Sequence, residues 1–332
     1  MARRIAINGF GRIGRLVFRI AQEHPELEVV AINELEKPDI MAYLLKYDTV
    51  HGLFKGTVMA ESDALMVNGK RIVITTEKDP TKLPWAAKNV DIVIEATGHF
   101  TERAGASQHL AAGARKVLIS APSKDADGTF VIGCNDSLYD PAKDHIISIG
   151  SCTTNCLAPV CKVLDESFGV AKAFMTTIHS YTNDQRVLDV GHKDPRRARA
   201  AAQNMIPTST GAAKAISLVF PQLEGKLHGC AVRVPTPDGS LVDLVALLNK
   251  DVDAVAVNAA FKQAADGPLK GILEYVTDPI VSSDVIGNPH SSVFDSPSTM
   301  VLGKNMVKVF SWYDNEWGFS NRVIEMLNKM MP

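Results

Sequence analysis

Short β-branched runs alternate with amphipathic stretches through the first half of the chain: RRIAIN at the start, a helical pattern from Arg12 to Glu23, then EVVAIN, DIVIEATG, KVLISAP and HIISIG. That alternation predicts a parallel sheet with crossover helices. Several of the runs end in Gly, Asn or Ser, as strands do where they open onto ligand-binding loops at the carboxyl edge of such a sheet. From Ser151 the pattern changes, and β-rich segments such as AFMTTIHSYT, GCAVRVPT, SLVDLVALL and VKVFSWYD predict a second, more antiparallel α+β domain. Between Glu316 and Met331 the apolar residues Val323, Ile324, Leu327, Met330 and Met331 recur at helical spacing. The chain is therefore expected to end in an amphipathic helix that packs back on the first domain.

Length and composition sharpen this picture. A chain of 332 residues suits two domains, expected here at 1–150, with the helix 316–332 returning to it, and at 151–315. With 35 basic against 37 acidic residues there is no broad field to attract nucleic acid or anionic lipid, so a small-molecule partner is expected. Five cysteines, Cys134, Cys152, Cys156, Cys161 and Cys230, are odd in number and form no pair of C-x-x-C clusters, which predicts no metal and a reducing compartment. No apolar run resembles a signal peptide or approaches the ~20 residues of a membrane helix, so a cytoplasmic location is expected.

Gly9, Gly11 and Gly14 form G-x-G-x-x-G after the apolar run Ile5 to Ile7 and before a helical pattern, and Glu34 ends the next strand 20 residues beyond Gly14. Three glycines alone also occur in plain strand-to-helix turns. In this context they predict a Rossmann-type dinucleotide-binding domain: Gly9 for the tight turn, Gly11 for backbone approach to the pyrophosphate, Gly14 for close packing of helix on strand. A carboxylate at Glu34 suits the ribose hydroxyls and repels a 2′-phosphate, which favours NAD.

Cys152 sits between the strand-like HIISIG and a helical pattern of Leu157, Val160, Cys161 and Leu164. A helix N-terminus favours thiolate, so Cys152 is the candidate nucleophile. Cys156 and Cys161 fall inside the helix, while Cys134 and Cys230 follow glycine in apolar runs, all of which read as packed hydrophobes. His179 closes the β-like run from Ala173 and is the candidate base; His192 lies in the polar HKDPRRARA stretch, where a surface role is expected. Taken alone, a Cys and a His at this separation also read as a buried thiol and an unrelated histidine.

Over essentially its full length the chain resembles the glyceraldehyde-3-phosphate dehydrogenase family, through INGFGRIGR, LLKYDTVHG, EATGHFTE, ISAPSKD, SCTTNCLAPV, TTIHSYTNDQ, RRARAAAQNMIPTSTGAAKA, RVPTPDGSLVDL, DGPLKGIL and SWYDNEWGFSNRV. The resemblance implies attack of Cys152 on an aldehyde, proton transfer through His179, hydride transfer to NAD and release of the thioester by inorganic phosphate. It implies anion binding by Ser151, Cys152, Thr153, Thr182, Arg197, Thr210, Gly211 and Arg233. Around the cofactor it places Gly9, Phe10, Gly11, Arg12, Ile13, Gly14, Asn33, Glu34, Lys78, Thr97, Gly98, Ser120, Asn315 and Phe319. It also implies a homotetramer, glyceraldehyde 3-phosphate and inorganic phosphate as partners, and HKDPRRARA in a loop at a subunit interface bordering the cofactor.

Five residues, at three places in the chain, depart from the family pattern. Ile149-Gly150 replaces the usual Asn-Ala before the Ser-Cys pair, Glu34 replaces Asp, and Val190-Gly191 replaces the Leu-Pro of NAD-specific members. The last change predicts a preference for NAD without strict exclusion of NADP. Asn33-Glu34-Leu35 and Gly150 also occur in the manner of erythrose-4-phosphate dehydrogenases, which hydrolyse their thioester, whereas STGAAKA belongs to the inorganic-phosphate site and points to phosphorolysis. A non-enzymatic binding protein on the same fold is opposed by the intact Cys152, His179 and anion residues.

Overall fold

The computed structural model describes residues 2–330; Met331 and Pro332, placed above in the terminal helix, lie outside the described residues. The chain divides into two units, the first made of residues 1–130, 138–150 and 320–332 and the second of 131–137 and 151–319.

The first unit is built on nine strands: β1 (Arg3–Asn8), β2 (Leu27–Asn33), β3 (Val58–Ala60), β4 (Ala64–Val67), β5 (Lys70–Thr75), β6 (Ile92–Glu95), β7 (Lys116–Ile119), β8 (Gly128–Thr129) and β9 (Ile146–Ser148). Their order is β3-β4-β5-β2-β1-β6-β7-β9-β8. From β5 through β9 the pairing is parallel, and α1 (Arg12–Ala21) and α3 (Arg103–Ala111) lie in the crossovers. The expected alternation is thus present, while the antiparallel β3-β4-β5 edge and α2 (Pro38–Lys46) go beyond it, although Asn68-Gly69, both at positive φ, marks the β4-β5 hairpin. Buried Ala6, Val30, Ala31, Trp85 and Val93 form part of its core. Within the same unit, Arg3 Nη1 donates to Asn328 Oδ1 (2.8 Å) and Tyr139 Oη to the carbonyl of Met330 (3.1 Å), which ties the end of the chain to this sheet.

The second unit carries β10 (Val170–Ser180), β11 (Ile206–Thr208), β12 (Leu227–Val234), β13 (Ser240–Leu248), β14 (Leu273–Val276), β15 (Ser292–Asp295), β16 (Met300–Leu302) and β17 (Met306–Tyr313). The order β11-β12-β10-β13-β17-β15-β14 mixes parallel with mostly antiparallel pairs, the α+β arrangement expected. Helices α4 (Cys152–Phe168), α5 (Ala212–Val219) and α6 (Ala254–Asp266) cover one face, where Leu157, Val160, Leu164, Ile216, Val257 and Phe261 meet Met175, Val242 and Leu244 in a single core. Val131 belongs to that core, which is why the segment 131–137 goes with this unit. The last helix, α7 (Trp317–Met330), begins in the second unit and ends in the first.

Candidate active site

At the carboxyl edge of the first sheet the glycine loop has the shape its sequence requires. Gly9 has φ +94°, and a Cβ there would lie 2.7 Å from the Thr97 nitrogen; a Cβ on Gly14 would lie 2.1 Å from the Gly9 carbonyl oxygen. Neither position admits another residue without moving backbone. Gly11 is exposed, would meet nothing with a Cβ, and begins α1 with no side-chain cap, which leaves the start of the helix open to an anion. Phe10 is buried against Phe18, and its N–H donates to Glu34 Oε2 at 2.7 Å while Leu35 N–H donates to Oε1 at 2.7 Å, so the Glu34 carboxylate is fixed beside the glycine loop.

Other assigned cofactor residues cluster on the same edge. Asn33 Nδ2 donates to Asn8 Oδ1 at 2.7 Å, Thr97 and Gly98 form the turn after β6, and the Ser120 hydroxyl donates to the Glu95 carbonyl at 3.0 Å. Ile13 is half-buried, and Arg12 reaches Asp48 Oδ2 at 2.5 Å. Burial alone would raise the Asp48 carboxyl, but the N–H groups of His51 and Val50 and the Arg12 guanidinium outweigh it and hold it down to about 2. Lys78 stands exposed beyond β5. These residues fit a dinucleotide: an uncapped helix start, a backbone without side chains, and a fixed carboxylate at the distance of one strand.

In the second unit Ser151 caps α4, its hydroxyl accepting from Thr154 N–H at 3.1 Å. Cys152 follows as the first helical residue, half-buried, with its Sγ 3.4 Å from His179 Nε2 near the end of β10. His179 Nδ1 lies 2.8 Å from the Ser180 carbonyl oxygen and 2.8 Å from Arg233 Nη1. The guanidinium has its own acceptor, since Nη1 donates to that same carbonyl at 2.9 Å. In the tautomer whose Nδ1–H donates to Ser180 O, the Nε2 lone pair faces the sulfur, as a general base requires.

The electrostatics show why a helix start needs a partner to activate the thiol. Burial pushes the Cys152 thiol up to about 11, outweighing the Arg233 guanidinium and the hydrogen bonds from Thr153 that favour thiolate. Burial, and then Arg233, holds the His179 imidazole down to about 3. Both shifts are the cost of a lone charge in a recess. Moving the proton across the 3.4 Å contact creates two opposite charges together, and their attraction offsets that cost. Between these limits the pair holds one proton, on sulfur or on nitrogen.

The assigned anion residues lie on four stretches of the chain, the start of α4, the loop 181–205, the start of α5 and, with Arg233, β12. Thr153 Oγ1 is 2.9 Å from Tyr313 Oη and Ser151 Oγ caps the helix, so their hydroxyls are engaged inside the protein and the backbone N–H groups at the start of α4 are what they offer an anion. Thr182 N–H donates to Gln185 Oε1 at 3.3 Å, and Thr210 with Gly211 opens α5. Arg197 is no solvated turn residue: it donates to Asp184, to Thr208 Oγ1 at 3.0 Å and to the Ser209 carbonyl at 3.3 Å. His192 is likewise corrected, its side chain only 7% exposed and held by Asp184 and Asp194. The irregular loop 181–205 folds on its own ion pairs, which periodicity does not reveal. Val190 and Gly191 are exposed in it.

Gly150, ahead of the Ser-Cys pair, has φ +69°, a conformation that suits glycine and accounts for the departure there; Ile149 is buried. Asn315 Oδ1 accepts from the hydroxyls of Ser180 (2.6 Å) and Ser240 (2.7 Å), which anchors it one residue from His179, and Phe319 is buried. Among the cysteines, Cys156 and Cys161 are buried as expected, but Cys230 is exposed because its register on β12 turns it to the outer face of the sheet. Sequence reasoning did not single out Tyr313, although it stands in the quoted SWYDNEWG segment: its hydroxyl bridges Thr153 and Thr177 at 2.9 Å each, and its ring edge meets His179.

Comparison with known proteins agrees with this geometry. Residues 3–103 match the model of the glyceraldehyde 3-phosphate dehydrogenase NAD binding domain, and residues 151–315 that of the C-terminal domain. The chain is 59% identical over 326 residues to glyceraldehyde-3-phosphate dehydrogenase 1 of Bacillus subtilis, covering 98% of this chain and 97% of that one. It is 57% identical to the glyceraldehyde-3-phosphate dehydrogenases of Geobacillus stearothermophilus, over 98% and 97% of the two chains, and of Streptomyces coelicolor, over 98% of each. A cysteine and histidine in contact, a dinucleotide-shaped glycine loop and likeness along the whole length place the chain in the glyceraldehyde-3-phosphate dehydrogenase family.

Proposed function

We propose that the chain oxidises D-glyceraldehyde 3-phosphate to 1,3-bisphosphoglycerate with reduction of NAD and uptake of inorganic phosphate, through a thioester on Cys152. The observation that carries this reading is the 3.4 Å contact between Cys152 Sγ and His179 Nε2 at a helix start flanked by Arg233, in a chain with near-full-length relatives of that name.

Proton transfer to His179 gives a thiolate that attacks the aldehyde carbon; the carbonyl π pair moves to oxygen, which takes the proton back from the imidazolium, leaving a thiohemiacetal. The imidazole then accepts the hydroxyl proton as the carbon–hydrogen bond breaks. Bound NAD supplies the acceptor for that hydride. A phosphate oxygen attacks the thioester carbonyl that remains, and the carbon–sulfur bond breaks to return the thiolate. The N–H groups at the start of α4 stabilise negative charge as it develops, and Arg233 and Arg197 supply guanidinium groups for the two phosphates. Ser151, Thr153, Thr182, Thr210 and Gly211 complete those anion sites, with Asn315 and Phe319 toward the nicotinamide.

A homotetramer in the cytoplasm is part of this reading, supported by the family, by five free cysteines, and by the apolar outer face of the second sheet. Among the described residues no helix is long and apolar enough to cross a membrane. The relatives named above give no support to erythrose 4-phosphate as substrate. The deciding experiment is NADH formation from glyceraldehyde 3-phosphate with and without added phosphate or arsenate. Dependence on the added anion is expected; steady turnover without it means hydrolysis and sinks the assignment. Cys152→Ser should abolish turnover and keep NAD binding.

A further inference from the structure

Beneath the glycine loop of the first unit lies a buried polar cluster that takes no part in the chemistry above. Glu95, at the end of β6, is 1% exposed, and His109 and Trp85 are 0% exposed. Asn8 Nδ2 donates to Glu95 Oε2 at 2.6 Å, and His109 Nε2 lies 3.0 Å from the same oxygen. Thr97 N–H donates to Oε1 at 2.8 Å, joined there by the Thr97 hydroxyl. The Trp85 indole N–H donates to His109 Nδ1 at 3.0 Å. An indole N–H can only donate, so Nδ1 is the acceptor and the ring proton sits on Nε2, aimed at Glu95. Four donors therefore converge on one carboxylate.

What those donors belong to gives the cluster its purpose. Thr97 leads into Gly98. Asn8 precedes Gly9, and its Oδ1 accepts from Asn33, which neighbours Glu34 and whose own Oδ1 accepts from Glu77 N–H at 2.9 Å. The main-chain carbonyl of Glu95 accepts from both the N–H and the hydroxyl of Ser120 at 3.0 Å. The ends of β1, β6 and β7 are thus joined at Glu95 and that of β2 to them through Asn8, and a Cβ on Gly9 would strike Thr97 N at 2.7 Å, so this rim has little room to shift.

We infer that Glu95, oriented by His109 and Trp85, is a positioning residue for the dinucleotide site, holding its rim in the binding geometry from below. At 1% exposure it does not itself reach a ligand. The inference rests on NAD binding at this rim. A carboxylate satisfies all four donors, whereas an amide sets its NH2 against Thr97 N–H in one orientation and against Asn8 Nδ2 and His109 Nε2 in the other.

Glu95→Gln is therefore expected to raise both the Kd for NAD, by calorimetric titration, and the KM for NAD about tenfold, with kcat at saturating NAD within about twofold of wild type. A purely structural role would lower the active fraction, counted by titrating the Cys152 thiol, and leave the Kd of the folded protein alone. An unchanged Kd in folded Glu95→Gln overturns the inference, as does a loss of kcat with KM unchanged. Should that variant not fold, Trp85→Phe removes the indole donor that fixes the imidazole tautomer together with part of a buried ring; a Kd raised about threefold with the active fraction of wild type supports the inference and an unchanged Kd overturns it. Wild-type protein that takes up no NAD would sink the dinucleotide reading itself, a different outcome from wild type and variant binding alike.

Discussion

A buried thiol and a buried imidazole are poor ionisers separately and a competent pair together. Because the contact pair keeps one proton from about pH 3 to about pH 11, its thiolate–imidazolium fraction varies little across the neutral range. Alkylation of Cys152 by iodoacetamide is therefore expected to run at a nearly constant rate between about pH 5 and 9. In His179→Asn the partner charge is lost, and only hydroxide can generate the thiolate. Its rate should climb about tenfold per pH unit through the alkaline range, and equal profiles for the two proteins would refute the pairing. Cys152 and His179 were readable in sequence because a capped helix start and a strand end mark them; the burial that sets their proton affinities was not, since Tyr313 and Arg233 arrive from strands more than fifty residues away. Glu34 poses a simpler question. With its carboxylate fixed by two N–H groups beside the glycine loop, a 2′-phosphate meets charge that cannot swing aside. The expected kcat/KM favours NAD over NADP, and Glu34→Gln should narrow that ratio about tenfold or more; a wild type that prefers NADP would overturn the role given to Glu34.

At the level of elements, periodic segments were legible and the irregular one was not. β1, α1, β2 and the start of α4 announce themselves by alternation, helical spacing and capping, while 181–205 has no period at all. Its order comes from side chains meeting across the loop: Arg197 with Asp184, Arg199 with Asp189 at 2.8 Å, and Arg186 Nε donating to the Gly191 carbonyl at 3.2 Å. Read as a string, RRARA is a basic turn; folded, its Arg197 is the hub of the loop. A lysine there keeps the charge and loses the fork that reaches Asp184, Thr208 and Ser209 together. Arg197→Lys should lower kcat/KM for glyceraldehyde 3-phosphate by about tenfold or more and speed proteolytic cutting within 186–200, with the glycine-loop affinity for NAD kept. Activity lost with no change in proteolysis would mean that Arg197 acts on the substrate alone.

At the level of the whole molecule, the second sheet has one face too many. Its inner positions, such as Met175, Val242 and Leu244, are buried under α4, α5 and α6. Its outer positions should be polar if water covered them, because an antiparallel sheet with one solvated face alternates apolar and polar residues. They include Phe174, Ile178, Leu241, Val245, Leu247, Met306 and Phe310 beside Lys172, Thr176 and an ion pair of Asp243 with Lys308 (2.8 Å), with Phe174 70% exposed and Met306 41% exposed in the single chain. SLVDLVALL already carries this excess, placing Leu241, Val245 and Leu247 beside Asp243 on the outer face of β13. A largely apolar exposed face of this kind marks an interface, and association of like chains is the economical way to cover it. Light scattering on the wild-type protein should return four chain masses at micromolar concentration. Phe174→Asp, in register beside Val245 and His228, places a charge in the middle of that face and should shift the population to smaller species while far-ultraviolet circular dichroism stays unchanged. A wild type that scatters as a single chain would leave this face without its partner and remove the tetramer from the account.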